Sequence, residues 1–299
     1  MLLSQKLEQM SIHSQDARKT ISEFLLKERK RIHTYSMQKI ADETFSSKAA
    51  LSRVAKKLGY SGWNEFMAAF VEEVRYLETH KTNVNVNMPF EGGSSPLEIA
   101  GNIAAVKEAA IRDTIEMLHR DTVDQIVDAL IGARRICLFG TSVNRYLEEI
   151  FQHKMLLIGR AVELVNHVEE RYQVETLGKE DCAIVISYSV NDVIRNPMHL
   201  LPGLKDHGVT IVGITSMGDN LLRDYSNHVL TIASQEKLYS KIGAFATESS
   251  TLFLLDTIFG CYFARNFEDN LDYKVSMARA VDKRRYSTSE GIREDGQIN

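Results

Sequence analysis

Apolar residues recur every three or four positions in the first quarter of the chain, a spacing typical of helices packed on a core. The pattern predicts helices over 14–29, 37–43 and 47–58, and a further helix from Trp63 to Leu77. Ser47 is placed to cap the first free N–H groups of the third helix, and Gly59 follows its last apolar residue as a C-terminal cap requires. We therefore expect an all-α N-terminal domain.

The stretch 83–96, NVNVNMPFEGGSSP, is polar and rich in turn residues, so it is interpreted as a linker. Residues 97–130 follow with the pattern of two helices. Beyond 135, short apolar runs alternate with helical segments. Strands are predicted at 135–139, 161–165, 182–187, 209–215 and 228–232, with helices at 143–158, 168–177, 193–207 and 245–263. This alternation predicts a doubly wound parallel sheet, so the fold class is α/β.

The predicted domain boundaries follow from these changes of pattern. They are a helical domain at 1–77, a linker and connecting helix at 78–108, an α/β domain at 109–268 and a polar C-terminal extension at 269–299.

Composition narrows the class of protein. The chain has 299 residues, 44% apolar and 25% charged, which is the balance of a globular protein. No apolar run is long enough for a membrane span, and the first residues do not have the pattern of a signal peptide. Cys137, Cys182 and Cys261 are too widely spaced for a metal site and are predicted to be buried apolar residues. We expect a cytoplasmic protein with no metal and no cofactor.

Charge is unevenly distributed along the chain. Residues 1–60 carry 12 Lys and Arg against 6 Asp and Glu, whereas the whole chain has a net charge of −4. A basic module on an acidic body indicates that the N-terminal part meets a polyanion, although a solvated helical surface has the same composition.

Two short helices joined by Thr44–Ser46 form a helix-turn-helix pattern. In that motif the second helix enters the major groove of DNA, so its outward positions are the predicted DNA contacts. These positions are Ser47, Lys48, Ala49, Ser52, Arg53, Lys56 and Lys57. Arg53 suits a guanine edge or a phosphate, and Lys56 and Lys57 suit phosphates. The alternative is a helical bundle that binds only protein.

The run IADETFSSKAALSRVAKKLGYSGWNEF, residues 40–66, resembles the DNA-binding segment of RpiR-type bacterial transcriptional regulators. Its ending, KKLGYSGWNEF, is the most specific part. The chain departs from the family at Ala50, where Thr is common. The resemblance implies a regulator that binds a double-stranded DNA operator as a homodimer or homotetramer.

Hydroxyl groups follow two of the predicted strands. The first strand ends in Gly140-Thr141-Ser142 and the third in Ser187-Tyr188-Ser189, each followed by a predicted helix. Ligands of open α/β sheets bind beyond the carboxyl ends of the strands, and such loops offer hydroxyls and N–H groups to an anion. Serine after a strand is also a common helix cap, so this interpretation remains open.

The second half of the chain resembles a SIS domain, the phosphosugar-binding fold that RpiR-type regulators join to their helix-turn-helix. The resemblance implies that Ser142, Ser187 and Ser189 hold the phosphate of a sugar phosphate effector, with backbone contact from Tyr188. Where the family usually has Gly-Glu-Thr after these serines, this chain has Val190-Asn191-Asp192. Three alternatives follow: Asp192 brings a repelling charge to the phosphate, it caps a helix from Val193, or the ligand has a different polar group.

Two further residues are candidates for the same crevice. Glu248, at the start of the last long helix, and His167, after the second strand, are the residue types that act as bases in sugar-phosphate isomerisation. Because an isomerase has no use for a DNA-binding module, we expect no enzyme. The predicted function is a sugar-phosphate-sensing regulator of carbohydrate metabolism. The alternatives are a regulator whose SIS-type domain is only a dimerisation scaffold, and an isomerase.

Overall fold

The computed structural model describes residues 3–79, 84–189 and 192–282. The chain forms two compact units. The first contains Met1–Glu116, Ser216–Asn220 and Ala233–Thr247; the second contains Met117–Thr215, Leu221–Ile232 and Glu248–Asn299. The domain boundaries given above stay a prediction.

Helices make up most of the first unit. They are α1 Leu3–His13, α2 Ala17–Lys27, a 3₁₀ helix Arg29–Thr34, α3 Met37–Glu43, α4 Lys48–Lys57, α5 Trp63–Thr79 and α6 Pro96–Glu116. Three of these helices have a short polar residue as their N-cap. Asp16, Ser36 and Ser47 each accept a hydrogen bond from an N–H in the first turn of α2, α3 and α4, respectively. Helix α1 was not predicted.

The core of α1–α5 confirms the apolar spacing found in the sequence. Leu51, Val54 and Ala55 of α4 are fully buried, and α5 contributes Phe66 and Phe70 to the same core. Gly59 ends α4 with a φ of 94°, and the next N–H, of Tyr60, donates to the Ala55 carbonyl at 3.1 Å. The core therefore holds one face of α4 inward and leaves the other in solvent.

The second unit is built on a parallel sheet whose strand order is β2-β1-β3-β4-β5. The strands are β1 Ile136–Gly140, β2 Glu163–Leu164, β3 Cys182–Ser187, β4 Thr210–Ser216 and β5 His228–Ile232. The helices around it are α7 Arg120–Gly132, α8 Val143–Leu156, α9 Glu170–Glu175, α10 Leu201–Asp206, α11 Leu221–Tyr225, α12 Phe245–Arg265 and α13 Phe267–Val281, with a 3₁₀ helix at Met198–Leu200.

Both faces of this sheet are covered. Alternate residues of β1 and β3, such as Leu138 and Ile184, pack with α7, α8 and α12 in one core, and the intervening residues, such as Phe139 and Val185, pack with α9, α10 and α11 in the other. Burial on both faces explains the continuously apolar strands. The predicted fold class, a helical domain followed by a doubly wound parallel α/β domain, is confirmed.

Several predicted elements are shorter than expected. The predicted helix over 193–207 is wrong in its first part, because helical structure begins only at Met198. Pro197 has no N–H to donate and disfavours helical backbone in the residue before it. The strand predicted at 161–165 is reduced to Glu163–Leu164, and α13 was not predicted. No helix in the described ranges is long and apolar enough to cross a membrane.

The segment Ala233–Thr247 belongs to the first unit although it follows β5 in the chain. Asn87 anchors it, because its side-chain oxygen accepts from Lys237 N–H at 2.7 Å and its carbonyl accepts from Ile242 N–H at 2.9 Å. Ala246 is buried against Val106 and Ala110 of α6. Part of the first unit is thus supplied by a segment that follows all five strands in the chain.

Candidate functional site

Helix α4 presents a basic face to solvent. Ser47, Lys48, Ala49, Arg53, Lys56 and Lys57 are exposed and Ser52 is half-buried. In the described part of the chain, none of the four cations Lys48, Arg53, Lys56 and Lys57 forms an ion pair. Their positive charge is therefore available to an external polyanion.

The turn before α4 is tight and shows an unusual exposed side chain. The hydroxyl of Thr44 donates to the Ile40 carbonyl at 2.7 Å, and Phe45 adopts a φ of 48° while its side chain is 98% exposed. Ala50, where the family often has Thr, is buried in the core. The departure at Ala50 therefore lies on the inner side of α4, away from its exposed cations.

The strand order brings the two predicted hydroxyl loops together. Gly140 of β1 pairs with Ile186 of β3. The loops Thr141–Ser142 and Ser187–Ser189 therefore follow the carboxyl ends of two neighbouring strands, on the same side of the sheet's ends. In a sheet of order 2-1-3-4-5, the connections from β1 and β3 leave to opposite sides, and the crevice at that point binds ligands. The serines predicted from the sequence therefore border the expected ligand crevice of the sheet.

Ser142 joins β1 to α8 in a backbone conformation that favours glycine, with a φ of 55°. Its side chain is exposed and does not cap α8. The next polar residue, Asn144, donates from its side-chain amide to the Ile186 carbonyl at 3.3 Å and so ties α8 to the end of β3. Asn144 was missed in the sequence because an amide in a helical segment has no distinctive pattern.

The loop after β3 shows where the altered residues lie. Ser187 is buried, Tyr188 is half-buried and Ser189 is exposed; Val190 and Asn191 lie outside the described residues. Asp192 Oδ1 accepts from Ile194 N–H at 3.1 Å, and its Oδ2 lies 3.9 Å from Arg195 Nε. Asp192 thus caps a turn rather than the predicted helix, and Arg195 partly neutralises its charge.

His167 belongs to a hydrogen-bonded cluster that connects the ends of β2 and β3. Its Nδ1 lies 3.1 Å from Glu170 Oε2 and 3.1 Å from the side-chain amide of Asn196, which also donates to Glu170 at 2.6 Å. His199 Nε2 lies 3.1 Å from Glu170 Oε1. Glu170, Asn196 and His199 were not predicted, since their chain separation gives no local motif.

A buried carboxyl lies directly behind the first loop. Glu148 of α8 is fully buried, and neither of its carboxyl oxygens has a hydrogen-bond partner among the described residues. Burial raises its pKa to about 8, more than the charge of Arg145 lowers it. A β-carbon on Gly140 would collide with Glu148 Oε1, so a larger residue at the end of β1 would force this carboxyl to move.

The start of α12 is occupied by a carboxylate other than the predicted one. Glu248 lies half-buried in the first turn of α12, and its role stays a prediction. Glu236, buried in the preceding loop, accepts from Ala246 N–H at 2.7 Å and from the Thr247 hydroxyl at 2.6 Å. Glu236 therefore caps α12, which the sequence did not reveal because it lies ten positions before Ala246.

The predicted burial of the cysteines is seen for two of the three. Cys137 and Cys182 are fully buried in β1 and β3, and burial raises the pKa of each thiol to about 12. Cys261 is half-buried. At neutral pH the two strand thiols are protonated and act as small apolar side chains.

Comparison with known proteins gives consistent matches over nearly the whole chain. The model of the rpiR-family helix-turn-helix domain matches residues 1–75, and that of the SIS domain matches 129–259. An uncharacterized HTH-type transcriptional regulator of Clostridium perfringens is 21% identical over 278 residues, covering 93% of this chain and 98% of the relative. A second such regulator, of Haemophilus influenzae, is 24% identical over 243 residues, with 81% and 83% covered.

Solved structures share the fold. The NanR protein of Vibrio vulnificus, complexed with ManNAc-6P, has a TM-score of 0.58 and 18% identity, covering 94% of this chain and 98% of NanR. The sugar isomerase domain of an RpiR transcription factor from Sphaerobacter thermophilus has a TM-score of 0.51 and 15% identity, with 60% and 98% covered.

Proposed function

The chain belongs to the RpiR-type transcriptional regulators, and from that premise we propose that it binds operator DNA through α4 and a sugar phosphate between the loops after β1 and β3. The observation that carries the DNA-binding part is the exposed face of α4, with four cations that have no ion-pair partner in the described residues. Major-groove recognition uses a helix of this kind.

The DNA-binding part has a direct test. A duplex selected by the wild-type protein from a random library serves as the operator, and binding is measured by fluorescence anisotropy. Arg53→Ala removes a proposed contact to a base edge or phosphate and should weaken operator binding by about 1–3 kcal/mol. Arg112→Ala, an exposed arginine of α6, is the matched control and should leave affinity unchanged. Unchanged affinity in Arg53→Ala would exclude α4 as the recognition helix.

The sensing part rests on the position of Ser142, Ser187 and Ser189 at the point where the strand order reverses. The N-terminus of α8 meets the same loop and favours an anion. NanR, which shares the fold, is complexed with an amino-sugar phosphate. We propose a phosphorylated sugar or amino sugar as effector, with Gly140 and Tyr188 giving backbone contacts and His167, Asp192 and Glu248 near its hydroxyl groups.

A thermal-shift screen against sugar phosphates tests the sensor. A ligand at about 100 times its Kd should stabilise the protein by roughly 2.7 kcal/mol. Ser189→Ala should abolish the shift, whereas Ser276→Ala, an exposed serine of α13, should keep it. A shift that survives Ser189→Ala would remove this serine from the site.

A second candidate function is a regulator whose SIS domain has lost phosphate binding and serves as a scaffold. The carboxylate of Asp192, at a position where the family usually has Thr, favours it, because a second negative charge near a phosphate is repulsive. No thermal shift with any sugar phosphate, together with intact DNA binding, would support this alternative.

The remaining features of the proposal follow from the DNA-binding role. The protein acts in the bacterial cytoplasm, where its operator lies, and as a homodimer or homotetramer, because helix-turn-helix proteins bind paired half-sites. It is not an enzyme: turnover of a ketose phosphate, lost in Glu248→Gln, would overturn that statement.

A further inference from the structure

A second basic surface lies outside the recognition helix. The segment 27–39, KERKRIHTYSMQK, carries five Lys or Arg and one Glu, so its net charge is +4. It contains the end of α2, the 3₁₀ helix Arg29–Thr34 and the first turn of α3. This segment holds 5 of the 12 cations in residues 1–60, more than the four on α4.

The structure shows which of these charges are already neutralised. Glu28 accepts from Arg31 at 2.7 Å and from the Tyr35 hydroxyl at 3.1 Å, and the Arg31 guanidinium holds the pKa of Glu28 below its usual range. Lys39 Nζ lies over the ring of Tyr35, 4.7 Å from its centroid. The one acidic residue of the segment is thus paired with Arg31 and hydrogen-bonded by Tyr35.

Three cations of the segment are exposed and could reach an external partner. Lys27, Arg29 and Lys30 are exposed and form no ion pair within the described ranges. Residues Leu26–Arg31 line an open cavity of about 410 Å³, so the charged side chains border a concave surface. Because the 3₁₀ helix packs on α2 and α5 through the buried Ile32, its cations cannot turn into the core.

The segment leads directly into α3, which begins only three residues after Thr34. In a helix-turn-helix complex the first helix of the motif crosses the sugar-phosphate backbone beside the groove that the second helix enters. Only Tyr35 and Ser36 separate the 3₁₀ helix from α3, so Arg29 and Lys30 lie within eight residues of the helix that crosses the backbone in such complexes. Contacts to phosphates fix the position of a protein on the duplex without reading its sequence.

We propose that Lys27, Arg29 and Lys30 form a phosphate clamp, which binds the DNA backbone beside the recognition helix and contributes sequence-independent affinity. The inference rests on the proposed DNA-binding function. It assigns to the segment 27–39 a role distinct from that of α4. Helix α4 recognises the base sequence, whereas the phosphate clamp binds the DNA backbone.

The test is the salt dependence of DNA binding by the full chain. Affinity for a labelled random-sequence duplex is measured by anisotropy between about 50 and about 200 mM NaCl. Each phosphate contact contributes about 0.9 to the slope of log K against log salt, so Arg29→Gln with Lys30→Gln should reduce the slope by about 1.8. The same change predicts roughly 60-fold weaker binding near 0.1 M salt.

Two control variants separate the clamp from net charge and from folding. Lys107→Gln with Arg112→Gln removes two exposed cations of α6, in the same compact unit, and should leave the slope at its wild-type value. The swap Arg29→Lys with Lys30→Arg keeps both charges and should also keep the slope. Circular dichroism confirms that each variant is folded.

The outcomes distinguish this inference from the proposed function. If the wild type binds no duplex at low salt, the DNA-binding function itself fails. If the wild type binds and the Arg29/Lys30 double variant keeps the full slope, the clamp is overturned while the function stands. An equal loss of slope in the α6 double variant would also overturn it, because net charge would then explain the effect.

Discussion

The buried carboxyl of Glu148 predicts that the α/β unit loses stability as the pH rises. Its pKa is raised from 4.5 to about 8 by burial, so the native state holds a proton that the unfolded state has released at neutral pH. Below about pH 4.5 the carboxyl is protonated in both the folded and the unfolded state, so it does not change the free energy of unfolding. Between pH 4.5 and about 8 only the unfolded state releases the proton, and the free energy of unfolding falls progressively. Stability should therefore fall through that interval.

The magnitude follows from the shift. One pKa unit corresponds to about 1.4 kcal/mol, so the cost is about 3 kcal/mol at pH 7 and about 5 kcal/mol above pH 8. Glu148→Gln keeps the shape and removes the ionisation. The variant should be more stable than the wild type by several kcal/mol near pH 8, and by less than about 1 kcal/mol near pH 5.

Urea unfolding followed by far-UV circular dichroism at these pH values measures the effect. The only tryptophan, Trp63, lies in the core of α1–α5, so its fluorescence follows the other compact unit and serves as an internal reference. Glu149→Gln, an exposed neighbour on α8, is the matched control and should change stability by less than about 0.5 kcal/mol at every pH. A gain in Glu148→Gln that is the same at both pH values would refute the reasoning.

Three further substitutions test local features. Phe45→Asn should stabilise the helical unit by about 1 kcal/mol, because asparagine tolerates a positive φ and the phenylalanine ring is exposed. Gly140→Ala should destabilise the sheet by about 1–3 kcal/mol through collision with Glu148, and Glu148→Ala should relieve much of that loss. Asp181→Asn should cost about 1–3 kcal/mol in urea unfolding, because Asp181 is buried and accepts two bonds from Arg134.

Each substitution has its own control. Phe45→Ala keeps the positive φ with an ordinary side chain and should gain nothing in a thermal melt followed by Trp63. Gly132→Ala, where a β-carbon meets no atom within 4 Å, should not destabilise. Asp206→Asn, at an exposed aspartate, should be neutral. A neutral Asp181→Asn would show that Arg134, which is half exposed, adds little.

The sequence was most informative where apolar spacing and caps agree. Ser47, Leu51 and Gly59 predicted the start, the inner face and the end of α4, because each depends on backbone hydrogen bonds or burial within a few residues. The parallel sheet was also predicted, from the alternation of elements, since strands joined by crossover helices pair in parallel.

The sequence was least informative where a contact joins distant positions. Glu170 meets His199, and Glu148 meets Gly140, only because the sheet brings their elements together. Helix α13 was also missed, since none of its residues is buried and its apolar positions therefore form no inward face.

The contribution of Ala233–Thr247 to the first compact unit has a consequence for how such regulators are recombined. A fragment ending at Glu116 would lack Ala246, which covers Val106 and Ala110, and the partners of Asn87. A chimera that joins this DNA-binding half to another sensor should therefore transplant 233–247 as well. The parts that can be exchanged are the compact units, each of which combines separate stretches of the chain, so no single position in the sequence divides them.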